Sequence, residues 1–203
     1  ETPEFLTRES TTGPVHDDSF HEDISRDLAT FLARGTLGAS EIRLLDSLSP
    51  ERAKRDNLHH LASEAERLGN RDGALEAWAV FLEHETKPTD RLEAMVRVAQ
   101  IRFDLGQKDR ALEGMGRAVE TWKKQGCKED RSDDKGGDKN DGESKCLSLR
   151  MRLRKLVIDW NRMEKKKPSP MLLEAYQVYL SKFDDDVEMS AWAALVARET
   201  KAT

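Results

Sequence analysis

One pattern of apolar and small residues occurs twice along the middle of the chain, and it limits the available folds more than any other feature. The first copy carries Leu58, Leu61, Ala62 and Ala65, then Leu68-Gly69-Asn70-Arg71-Asp72-Gly73-Ala74-Leu75-Glu76, then Trp78 and Phe81. The second carries Met95, Val98 and Ala99, then Leu105-Gly106-Gln107-Lys108-Asp109-Arg110-Ala111-Leu112-Glu113, then Met115 and Ala118. Apolar spacing of three and four residues makes each half an amphipathic helix. Gly69 and Gly106 are placed to end the first helix of each copy in the left-handed conformation that glycine adopts without steric cost. Ala62, Ala74, Ala99, Ala111 and Ala118 let the two helices approach closely. The unit is a helical hairpin, and a hairpin of this size buries its apolar face only by stacking on its neighbour.

The flanking segments extend the pattern. Residues 1–18, polar and Thr-rich with Gly13-Pro14, read as a disordered leader, and the helical array is expected over 19–203. Ser19 is placed to cap a helix with Ile24, Leu28 and Phe31 on its apolar side, ending at Gly35. A short helix follows from Ser40 with Ile42, Leu44 and Leu45, and Ser49-Pro50 reads as cap and first turn of the next. Residues 125–145 differ in kind. Glu129, Asp130, Asp133, Asp134, Asp138, Asp141 and Glu143 alternate with Lys and Gly and no large apolar residue, so a flexible acidic loop is expected there. Helical spacing resumes near Leu147 with Leu149, Leu153, Leu156, Val157 and Trp160, and Ser169-Pro170 opens a helix bearing Leu173, Tyr176 and Leu180. A last helix from Val187 places Trp192 and Leu195 as the start of a further unit or as a terminal cap.

The doubled Leu-Gly-x4-Ala-Leu-Glu register resembles the tetratricopeptide repeat (TPR). Ala74 and Ala111 stand slightly further apart than the roughly 34 residues of an uninterrupted array, and the loop before Pro88 accommodates the surplus. The resemblance implies an all-α superhelix of antiparallel hairpins with a polar loop insertion. It also implies a concave groove, lined by the first helix of each hairpin, that receives a protein or peptide partner. Carried onto this sequence, the groove positions are His59, Ser63, Glu66 and Arg67, then Val96, Gln100, Phe103 and Asp104. The chaperone-binding subfamily grips a terminal carboxylate with Lys and Asn at two such positions. Here those positions hold His59 and Ser63, then Val96 and Gln100, which departs from that pattern.

Charge and chemistry narrow the function classes. Charged residues make up 36% of the chain, above the roughly 25% of ordinary domains, as expected of a thin helical stack with much exposed face. A net charge of −5 argues against a phosphate-binding surface, so no nucleic-acid partner is expected. The one basic run, Arg150-Met151-Arg152-Leu153-Arg154-Lys155, reads as the solvated side of a helix. The longest apolar run, Ala191 to Ala197, is far below the roughly 18 to 20 residues of a membrane span, so no membrane insertion is expected. The chain opens on Glu1 without Met or a basic-then-apolar leader, which reads as a processed or excised form of a longer product.

No catalytic constellation emerges. His59-His60 with Glu64 lacks a third metal ligand at matching spacing, and no Gly-rich phosphate loop or nucleophile elbow is present. Asp138-x-Asn140-Asp141-Gly142 does not reproduce a calcium-loop pattern. Neither cofactor nor metal is expected, and the protein reads as a non-enzyme.

Cys127 and Cys146 bracket the acidic loop. They are either two separate thiols or a disulfide; closing about 20 residues would contribute roughly 3 kcal/mol. A bond would place the protein on the periplasmic or extracellular side of a bacterial envelope, and free thiols would fit the cytoplasm. The functional expectation is a scaffold or adaptor in a cell-envelope complex, the alternative a ligand- or peptide-sensing regulatory module of a larger protein. The sequence does not specify an oligomeric state.

Overall fold

The computed structural model describes residues 18–127 and 141–201. The leader through Asp17 and the central acidic stretch 128–140 lie outside the described residues. Those described form α-helices and no strand: α1 Asp18–Arg34, α2 Ala39–Leu48, α3 Glu51–Arg67, α4 Arg71–His84, α5 Pro88–Asp104, α6 Lys108–Gln125, α7 Asp141–Met163, α8 Pro170–Leu180 and α9 Val187–Lys201. The all-α class expected from the periodicity is therefore the observed one. Helix α7 starts at Asp141, ahead of Leu147 where the apolar spacing resumes, so residues 141–145 of the span expected as an acidic loop are helical.

The two copies of the sequence pattern become two hairpins with the same turn. Gly69 has φ of 81° and Gly106 φ of 74°, both in the left-handed region. Asn70 N–H donates to the Ala65 carbonyl at 2.9 Å, and Gln107 N–H to the Arg102 carbonyl at 2.9 Å. These bonds satisfy carbonyls that the end of a helix leaves orphaned, so each Leu-Gly step is a stop signal with a defined exit direction. The five alanines at the expected close approaches, Ala62, Ala74, Ala99, Ala111 and Ala118, are all fully buried. Asn70 then caps α4, its Oδ1 accepting from Gly73 N–H at 3.2 Å, and Ser169 caps α8 through Leu172 N–H at 3.2 Å.

Helices α3 with α4 and α5 with α6 pack along their lengths, as do α8 with α9. The odd-numbered helices α1 and α3 also touch, as do α5 and α7, while α2 meets α4 and α6 meets α8. This stacking produces two hydrophobic cores. One gathers Leu45, Leu58, Leu61, Trp78 and Phe81 around small residues from α1 to α4. The other gathers Phe103, Met115, Trp122, Trp160, Tyr176 and Tyr179 from α5 to α9. Helix α5 belongs to both, giving Ala94 and Ile101 to the first and Leu92, Val96, Ala99 and Phe103 to the second.

Three local expectations are corrected. Helix α1 begins at Asp18, so Ser19 lies within it, and it buries Ser25, Ala29 and Ala33 while Ile24 and Phe31 are exposed. Small residues are favoured on its buried side because α3 packs closely there. Ser49 makes no cap for α3; its Oγ accepts from the buried Asn57 Nδ2 at 3.0 Å, and Asn57 also donates to Ser25 Oγ at 2.8 Å. Asn57 thereby ties α1, the α2–α3 corner and α3 into one polar latch. In α9, Leu195 is exposed and the buried positions are Met189 and Val196.

Candidate functional site

Three surface clefts lie on the odd-numbered helices. A cleft of about 560 Å³ lies between α1 and α3, lined among others by Glu22, Arg26, Arg52, Asn57, His59, His60 and Ser63. A second, of about 240 Å³, lies between α5 and α7 and is lined by Val96, Arg97, Gln100, Asp104, Arg152, Lys155 and Asp159. A third, of about 550 Å³, runs along α7 and shares Arg152 and Lys155 with the second.

Of the groove positions expected in α3, His59 and Ser63 line the first cleft. The His59 ring packs edge-on against Trp78 and Phe81, with centroids 5.2 and 5.4 Å apart. Burial holds its pKa below the ordinary histidine value, Glu93 opposing that shift and Arg97 and Lys145 reinforcing it. His60 shares a 2.8 Å hydrogen bond with Thr30 Oγ1, so the adjacent histidines are each committed to packing or to a neighbouring helix. Ser63 Oγ is buried with no hydrogen-bond partner among the described residues. Glu66 accepts from Arg97 at 3.1 Å and so bridges α3 to α5, whereas the exposed Arg67 pairs with Glu64 one turn away in its own helix.

The positions in α5 divide. Gln100 and Asp104 line the second cleft and are joined by a 3.0 Å hydrogen bond from Gln100 Nε2. Val96 lines the same cleft although it is only 1% exposed, whereas Phe103, 4% exposed, lies outside it. Phe103 lies 5.3 Å from the Trp160 ring and belongs to the second core, so it offers no exposed aromatic anchor. The cause is α7, whose Trp160 covers Phe103 while Val96, Gln100 and Asp104 stay beside the cleft.

Other polar groups fix the helices that carry these clefts. Arg97 sits over the Trp78 ring at 5.5 Å and bonds both Glu66 and Glu93. Lys145 at the start of α7 reaches Asp90 and Glu93 of α5. Burial works to raise the Glu93 pKa, but Lys145 and Arg97 outweigh it and hold the carboxylate ionised below its usual range. At the other end, Arg150 pairs with Asp185, and Arg154 with Asp186 and Glu188. These clamps fasten α7 to the corner before α9. They were not legible as pairs, because the sequence shows a basic run and an acidic run without showing that the two meet.

What the sequence did not show is that the outer side of α7 forms a cleft, lined by Ser148, Met151, Arg152, Arg154, Lys155, Ile158 and Arg162, its basic run having read only as a solvated face. Their spacing of three and four residues is the signal, a second helical stripe alongside the buried Leu149, Leu153, Leu156 and Trp160. Among the described residues no cluster of His, Cys, Asp or Glu is arranged to hold a metal ion, and no helix is long and apolar enough to cross a membrane. Cys127 and Cys146 stand at disulfide distance, with Sγ–Sγ 1.98 Å and Cα–Cα 5.8 Å, joining the chain after α6 to the first turns of α7.

Comparison of the chain with protein-family models, with curated proteins and with solved structures finds no match.

Proposed function

We propose that this protein is a non-enzymatic adaptor of TPR type, its hairpins stacked as a superhelix and its open face receiving a segment of a protein partner. The observation that carries the reading is the placement of three clefts on the odd-numbered helices, the helices that would line a TPR groove. Two hairpins with equivalent turns support the same reading. The cysteine pair at disulfide distance supports a site of action in a bacterial envelope, on the oxidising side of the membrane.

The test is selection of a displayed peptide library on the full chain, followed by Ser63→Arg and Gln100→Arg, which fill the clefts on α3 and α5. Selected peptides should lose roughly tenfold or more in affinity for at least one variant. Recovery of no binding peptide, or of peptides indifferent to both changes, contradicts the adaptor reading.

A second reading, a ligand-sensing regulatory module, is favoured by one feature. The cleft between α1 and α3 combines carboxylates, guanidinium groups and the unpartnered Ser63 hydroxyl, a lining suited to a small polar ligand. Tight binding of a small polar molecule, abolished by Ser63→Arg and accompanied by no peptide binding, distinguishes that role from the adaptor.

A further inference from the structure

Helix α7 has a long apolar stripe buried in the second core and a shorter outer one that is only partly covered, Ile158 resting against that core and Met151 exposed. Leu149, Leu153, Leu156, Val157 and Trp160 are buried in the second core. Met151, 52% exposed, and the half-buried Ile158 lie on the outer cleft two turns apart. Around them stand Arg152, Lys155 and Arg162. Arg152 has no ion pair among the described residues, and a single carboxylate, Asp159, serves both Lys155 and Arg162. Arg154 also lines the cleft, but its charge is paired with Asp186 and Glu188. The result is an apolar strip flanked by an excess of positive over negative side chains on a chain whose net charge is −5.

We infer that the outer face of α7, with the α5–α7 cleft beside it, docks an acidic amphipathic helix from a partner protein. A helix with large apolar residues seven positions apart places two of them over Met151 and Ile158, and Glu or Asp on the adjoining side meets Arg152 and Lys155. The complementarity selects this occupant. An apolar strip at the centre of the cationic groups suits a side-chain anchor, whereas a nucleic acid calls for a broader field of Lys and Arg to follow its phosphates. The inference rests on the adaptor reading and specifies which part of the open face holds the partner and by what chemistry.

The experiment uses the full chain and a fluorescently labelled helical peptide with Leu and Glu on one face, followed by anisotropy. A peptide with Gln in place of Glu serves as control. The Glu peptide should bind, weaken with added salt, and lose about tenfold in affinity on Arg152→Glu with Lys155→Glu. A Lys-for-Glu peptide should bind the charge-reversed protein better than the unaltered one. Met151→Ser, a change at an exposed position, should also weaken binding while circular dichroism is unchanged. Equal binding of the Gln and Glu peptides, no binding of the Glu peptide, or indifference to charge reversal overturns the inference. So does tighter binding of a DNA duplex or of phosphatidylserine vesicles. Library peptides sensitive to Ser63→Arg or Gln100→Arg but not to the α7 changes leave the adaptor reading intact and remove this inference alone; absence of any peptide ligand removes both.

Discussion

The two halves of the molecule solve the same packing problem with different side chains. The core of α1 to α4 relies on closely approaching alanines, two large aromatic rings, Trp78 and Phe81, and a buried polar latch at Asn57. The core of α5 to α9 fills its space with Phe103, Trp122, Trp160, Tyr176, Tyr179 and Phe183 and adds the cysteine pair and the Arg150 and Arg154 clamps. The first half keeps helices close by having little between them; the second holds them with large interlocking rings. Its long helix α7 is held by these rings and clamps while its outer stripe faces the cleft, and sites built on helices are more precise than sites on loops.

The contrast breaks most severely where the rings interlock. Trp160→Ala and Phe103→Ala should each cost about 3 to 5 kcal/mol, read as a lowered urea midpoint. The double variant should cost less than the sum, because the two rings touch. A Phe103→Ala protein as stable as the parent would place that ring outside the core.

Next in size is the cysteine pair. Replacing Cys127 and Cys146 by Ala should lower stability by about 3 kcal/mol, as expected for a loop of this length, since their sequence separation is 19. The loss should appear as faster amide exchange in the first turns of α7 and not in α1 to α4. Equal exchange in both proteins would mean that the lysine bridge from Lys145 to α5 already holds that helix end.

Acid separates the halves by pH. Burial works to raise the Glu164 pKa, but hydrogen bonds from Lys108, Ser169 and Trp160 outweigh it and hold it at about 2 against an ordinary 4.5. Its contribution, on the order of 2 to 3 kcal/mol, is present above pH 4.5 and is lost as pH falls from there toward 2. His59 in the first half titrates in a higher window. Its pKa is lowered by burial, so the folded state binds fewer protons than the unfolded one, and its stabilisation is lost as pH falls through about 6.5. Glu164→Gln should flatten the lower window and leave the upper one. A pH profile unchanged by that variant would contradict the role given to Glu164.

The smallest effect is at the polar latch. Asn57→Ala leaves Ser25 and Ser49 without their shared donor and should cost about 1 to 2 kcal/mol, measured by thermal unfolding. No loss of stability would show that the latch is incidental to packing.

What was legible in the sequence follows the range of the interactions involved. The helices, the turns at Gly69 and Gly106 and the cap at Ser169 depend on residues within one or two turns, and local pattern reveals them. Phe103 was assigned to a groove by the register of its own helix; its burial depends on Trp160, which belongs to a helix beyond the acidic stretch. The buried side of α1 was misread for the same reason, since α3 selects Ser25 and Ala29 over the larger Ile24 and Phe31. On α7 the basic run hid two roles. Arg150 and Arg154 turn to the corner before α9, while Arg152 and Lys155 turn to the cleft, a distinction that depends on the neighbouring helices.

The most direct measurement of the central claim, that the partner-binding face belongs to the odd-numbered helices and centres on α7, is methyl NMR of the full chain titrated with the Glu-bearing peptide. Met151 and Ile158 should shift progressively and saturate together, while Ile24, Leu44 and Leu48, three exposed apolar residues of the first half, stay in place. Saturable shifts at Ile24, Leu44 and Leu48 with Met151 and Ile158 unmoved would contradict it.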